Sequence, residues 1–253
     1  MAKVIAVANQ KGGVAKTTTT GTMAAGLKQR GYNVLAIDLD PQGNLTDSVG
    51  AEAYDCSTAY NLLKKEVLAI DAIQKLDMFD LIPANIMLAG AEQELSQSGK
   101  EYRLKEALKS VLENYDYILI DTPPSLGVLT VNAFTCADEI IIPTTPGIFA
   151  VKGIKQLNDT IENTRLYCNS KAQIRGILLT RYDPRIVITK GITGLAEQIS
   201  EHINAPIFKT YIRNSVAVEE AQANKIDLFK HKSDSTVALD YNALIDEYLK
   251  GGN

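Results

Sequence analysis

Asn9-Gln10-Lys11-Gly12-Gly13-Val14-Ala15-Lys16-Thr17-Thr18 is the stretch on which the reading of this chain turns. A short apolar run, residues 3–9 (KVIAVAN), precedes it, and helical spacing from 16 to 30 follows, stopping at Gly31. A glycine-bearing turn between strand and helix lets backbone N–H groups face an anion with no Cβ in the way. The helix N-terminus adds the positive end of its dipole. Gly12, Gly13, Val14 and Ala15 supply the backbone of such a cradle. Lys16 would reach the β- and γ-phosphates of a nucleotide, and the Thr17 hydroxyl would ligate Mg2+. Thr18, one residue further on, can reach the α-phosphate. The spacing departs from G-x-x-x-x-G-K-[ST]. Gln10 and Ala15 stand at the glycine positions, and an additional lysine, Lys11, precedes the Gly pair. If position 15 needs a positive φ, alanine there is strained by on the order of 1 kcal/mol.

Outward from the loop, two further strands end in acid. Residues 33–38 (NVLAID) run into Asp38-Leu39-Asp40-Pro41-Gln42-Gly43-Asn44, and residues 115–121 (YDYILID) run into Thr122-Pro123-Pro124. On an extended chain Asp38 and Asp40, two apart, are expected to point the same way. In open parallel sheets ligands bind beyond the carboxyl ends of the strands, where the loop also lies. Asp38 and Asp121 would therefore join Thr17 around Mg2+, and Asp40 would orient the attacking water. The segments after Asp40 and Asp121 read as switches that sense the γ-phosphate.

Further runs at 78–82, 138–143, 173–180 and 205–211 read as strands. Helical patterns cover 58–76 (two short pieces), 100–114, 150–168, 189–203, 216–224 and 235–250. Strands apolar on both faces, alternating with helices, predict a doubly wound α/β fold with a mostly parallel sheet flanked by helices. No linker, repeat or low-complexity tract divides the chain, so one domain over 1–253 is expected.

K-G-G-x-x-K-T-T resembles the deviant Walker A loop of the ParA/MinD ATPases. D-L-D-P-Q-G-N, I-D-T-P-P-S-L-G and I-I-P-T-T-P resemble ParA/Soj segments, and the likeness runs from Lys3 to about Tyr248. The resemblance implies an ATP- and magnesium-dependent P-loop ATPase for plasmid or chromosome partition. In that family the early lysine, here Lys11, reaches the partner's phosphates across an ATP-dependent homodimer. Asp40 is the residue that promotes hydrolysis. The dimer binds double-stranded DNA non-specifically, and a ParB-like centromere-binding protein stimulates turnover. Adenine contacts are implied for Thr180, Arg181, Arg213 and Asn214. The proline of the family's Pro-Arg-Asn triplet is missing, and an ungapped reading puts Arg213 at its position.

Charge fits a polyanion partner. Of 253 residues, 26 are Lys or Arg and 30 are Asp or Glu, a net of −4. Residues 171–232 nevertheless hold ten basic residues against six acids, a net of +4, leaving −8 on the rest. Arg185, Lys190, Lys209, Lys225, Lys230 and Lys232 are the expected phosphate contacts. MinD-like membrane anchoring is not expected, because the last helix carries three acids and one lysine over 240–250. Cys56, Cys136 and Cys168 lack the spacing of a metal or cluster site, and a reduced cytoplasmic setting is expected. The N-terminus reads straight into a strand with no leader. By the resemblance, the protein would associate with the nucleoid. An ATP-dependent enzyme acting on a metabolite is the remaining alternative, for which nothing in the sequence marks an acceptor site.

Overall fold

The computed structural model describes residues 1–95, 97–145, 150–182, 200–201 and 203–251. Among these, seven strands form one sheet in the order β3-β2-β4-β1-β5-β6-β7, every neighbouring pair parallel. The strands are β1 (Lys3–Val7), β2 (Val34–Asp38), β3 (Asp80–Ile82), β4 (Tyr117–Asp121), β5 (Glu139–Thr144), β6 (Gln173–Tyr182) and β7 (Ile212–Arg213). The longer helices are α1 (Lys16–Gln29), α7 (Val128–Cys136), α8 (Ala150–Tyr167), α9 (Val216–Ala223) and α11 (Thr236–Lys250). Shorter ones are α2 (Asn44–Ser48), α3 (Ala59–Leu63), α4 (Ala69–Ala72), α5 (Leu88–Glu94), α6 (Arg103–Leu108) and α10 (Leu228–Lys232).

The sheet is apolar on both faces because side chains alternate along each strand. Val4, Ala6, Leu35, Ile37, Ile118 and Ile120 join one core with α3 and α5–α8. Ile5, Val34, Ala36 and Leu119 join the other with α1 and α9–α11. In that second core α1 lies close against α11 at Gly26. A Cβ there would collide with Ile245 Cδ1 and lie 3.1 Å from Phe229 Cε2.

The structure departs from the sequence expectations in two places. The expected strand 205–211 reduces to one bridge, Ile207 with Ile177. The carboxylate of Glu247 takes the N–H groups of Lys209 (2.7 Å) and Thr210 (2.9 Å), turning them away from the ladder, and β7 begins only at Ile212. The expected helix 100–114 is a 3-10 turn (Lys100–Tyr102) followed by α6. Asn132 accepts from Leu104 N–H and donates to Lys100 O, fixing that break. Most of the expected helix 189–203 lies outside the described residues. No described helix is long and apolar enough to cross a membrane.

Candidate active site

The loop after β1 leaves the centre of the sheet where the neighbouring strands lie on opposite sides, the crevice that doubly wound folds use for ligands. Gly13 adopts φ +72° and Ala15 φ +64°, ψ 32°. Position 15 thus has the left-handed conformation that an alanine holds only under strain. No side chain caps α1. Its first-turn N–H groups, which no helix can pair internally, therefore stay available to an anion. Asn9, almost fully buried, pins the loop by donating to Pro143 O (2.7 Å) and accepting from Lys11 N–H (2.9 Å). Thr180 pins it from the other side, its buried hydroxyl lying 3.1 Å from Val14 O and 3.2 Å from Thr144 O.

Lys16 is only 7% exposed, and its Nζ lies 3.4 Å from Lys11 O. Burial pushes its pKa down, and Asp121 and Asp40 oppose that shift. Asp38 and Asp121 face each other across the β2–β4 register, and both are wholly buried. Burial raises both carboxyls. Asp38 rises to about 6, held back by hydrogen bonds from Thr46 and Asp40. Asp121 rises well above the ordinary range, with Asp38 adding to the rise and Thr17 and Lys16 opposing it. Thr17 Oγ1 donates to Asp121 Oδ2 at 2.6 Å. Thr20 Oγ1 lies 3.4 Å from Asp121 Oδ1.

Asp38 and Asp40 both act on Asp121 but have different partners. The strand ends at Asp38, Leu39 N–H still bonds Asp121 O (2.9 Å), and the chain then turns. Asp40 O accepts from Gly43 N–H (2.9 Å), and Asp40 Oδ1 accepts from Gln42 N–H (3.0 Å). Asp40 faces the cleft, whereas Asp38 is turned to Thr46.

The cleft measures about 650 Å³. Gly12, Gly13, Ala15, Lys16, Thr17 and Thr18 form its floor. Gln42, Asn44, Asp47 and Ser48 stand on the switch side, where the sequence predicted only a loop but α2 forms. Arg181, Arg213 and Asn214 line the far wall, where an adenine was expected. Arg181 sits at φ +52°. The Arg213 guanidinium is clamped to Asp240 (2.6 and 3.0 Å). Thr180, also expected at the adenine, turns its hydroxyl to the loop instead. Val14 is buried under the loop and offers the cleft no side chain.

Lys11 is exposed, and its Nζ meets Thr145 Oγ1 at 3.3 Å. Lys225, Lys230 and Lys232 are exposed around α10. Lys209 is exposed on another segment, its backbone N–H bound to Glu247 of α11. Arg185 and Lys190 lie outside the described residues. Asn9, Thr20 and Thr46 were not singled out in the sequence. A polar residue closing an apolar strand was the available signal for Asn9, whereas Thr46 offered none.

A turn that presents backbone amides, with a buried lysine behind it and aspartates on the adjoining strand ends, sets the class: this is a P-loop ATPase. The AAA domain family matches residues 2–174. The chain is 40% identical to sporulation initiation inhibitor protein Soj of Bacillus subtilis over 256 aligned positions, covering 100% of both chains. It is 40% identical to chromosome partitioning protein ParA of Caulobacter vibrioides, covering 87% of this chain and 83% of that one. Cobyrinic acid a,c-diamide synthase of Mycobacterium smegmatis, solved with ADP and magnesium, superposes with TM-score 0.86 at 34% identity, covering 100% and 97%. The chain belongs to the AAA-domain ATPases of the Soj/ParA chromosome-partitioning family.

Proposed function

We propose that the chain is a magnesium-dependent ATPase of DNA partition. ATP closes it into a homodimer that binds double-stranded DNA without sequence preference. Hydrolysis, stimulated by a ParB-like partner, reopens the dimer and releases it from the nucleoid. The observation that carries this reading is the pair of lysines. Lys16 is buried in its own cleft, whereas Lys11 stands exposed beside Thr145, free to serve a second copy.

The donor set suits a hard cation. It consists of hydroxyl and carboxylate oxygens, and burial makes the two strand-end carboxyls costly to ionise without a counter-charge. Thr17 and Asp121 are the residues that would hold Mg2+, with Asp38 behind them. When bound, the ion neutralises charge on the phosphate oxygens. Lys16 and the loop amides do the same from the protein side, in a site that already excludes water from the lysine. Asp40 accepts a hydrogen bond from the attacking water and fixes its line of approach. Because the γ-phosphate would bridge two copies, the dimer lasts only while the phosphate does.

Light scattering of the chain with no nucleotide, with ADP and with a non-hydrolysable ATP analogue tests this. A dimer with the analogue alone, lost in Lys11→Ala with analogue affinity retained, supports the reading. A monomer in all three states overturns it. The synthase likeness favours a second reading, an ATP-dependent step on a small acceptor. Analogue binding without dimer or DNA binding would favour that one.

A further inference from the structure

Asp38 makes three hydrogen bonds in a fully buried setting. Oδ1 accepts the Asp40 N–H at 3.1 Å. Oδ2 accepts both the N–H (3.0 Å) and the hydroxyl (2.8 Å) of Thr46. Thr46 is itself wholly buried, and its Oγ1 also accepts the Ala84 N–H at 2.9 Å. One hydroxyl therefore donates to the end of β2 and accepts from the residue just past β3. The segment between its two anchors, 40–46, carries Asp40 and the tight turn at Gly43. Gly43 adopts φ +64°, and a Cβ there would lie 3.1 Å from Ala84 O. The turn cannot move toward β3, and Thr46 keeps it from moving away.

We propose that Thr46 is a positioning residue that sets Asp40 over the nucleotide cleft. It works through the Asp38 carboxylate below and the Ala84 amide beside it. The proposal rests on the reading that Asp40 orients the attacking water. A water held by a displaced carboxylate loses its line of attack, and an error of about 1 Å can cost on the order of a hundredfold in rate. The side-chain hydrogen bonds of Thr46 go to Asp38 and Ala84 and not to the loop or Lys16, so the grip on the phosphates should survive their loss. This split between rate and binding separates a positioning role from general support of the fold.

Thr46→Val keeps the shape but removes both hydroxyl bonds. Thr46→Ser keeps both bonds. Magnesium-ATP turnover and binding of a non-hydrolysable analogue are measured on the full chain. Thr46→Val should lower kcat about tenfold to a hundredfold, with KM and analogue Kd within about threefold of the parent. Thr46→Ser should restore kcat to within about twofold. Parental kcat in Thr46→Val overturns the proposal, and so does an equal loss of analogue binding. Hydrogen exchange on the unmodified chain stands independently of whether the variant folds. The Thr46 and Ala84 amides should be as protected as those of β2, and exchange at the rate of exposed loop amides overturns the tether. A parent chain that binds no nucleotide would instead overturn the ATPase reading, and the exchange result would still decide the tether.

Discussion

Ala15 holds a backbone conformation, φ +64°, that costs a methyl-bearing residue about 1 kcal/mol or more. Ala15→Gly should remove that strain, in part offset by a more flexible unfolded chain. The expected result is a gain of about 0.5–1 kcal/mol in denaturant unfolding, with ATP-analogue binding at least as tight. A loss of affinity would show that the strain shapes the cradle. The buried carboxyls give a second residue-scale prediction. Asp38 binds its proton more tightly folded (about 6) than unfolded (3.8), so its contribution to stability is full below about pH 4. That contribution drains away as pH rises to about 6 and is level beyond. Unfolding free energy of the magnesium-free chain relative to Asp38→Asn should therefore fall by on the order of 3 kcal/mol across that window. A flat difference would place Asp38 in a wetter setting than its burial implies.

Among the elements, the α1–α11 contact is the tightest the sequence concealed. Gly26 is where Ile245 and Phe229 approach α1. Gly26→Val should cost about 1–3 kcal/mol by overpacking, despite its conformational stiffening of the chain. Thermal melting checks this, and unchanged stability would mean that α11 packs further out. What could be read locally was read. The strand–turn–helix at 3–29 follows from apolar periodicity, a Gly pair and Lys-Thr, all within one short window. What escaped depended on partners far along the chain. Glu247 strips 209–210 from the sheet, and Thr180 braces Val14 from 166 positions away. The hold of Thr46 on Asp38 left no mark in the strand pattern, because it comes from the helix after the turn.

At the scale of the molecule, α1, α9 and α11 wall the cleft and also pack with α10 in one core on the same face of the sheet. The cleft lies at the carboxyl ends of the strands, and the exposed lysines Lys225, Lys230 and Lys232 gather around α10 on the side of α1 and α11. Lys230→Glu with Lys232→Glu should lower the slope of log affinity against log salt by about 1–2 for duplex DNA in the presence of the ATP analogue, with analogue binding unchanged. Filter binding across a salt series reads that slope. An unchanged slope would move the DNA face to other residues.

The last described helix also completes the first motif. Val237 and Tyr241 of α11 wall the cleft, and Tyr241 Oη lies 3.2 Å from Thr19 Oγ1. During synthesis the phosphate cradle leaves the ribosome more than two hundred codons before its back wall is made. A nascent chain can therefore own the signature of the enzyme and still have no pocket in which to keep a nucleotide.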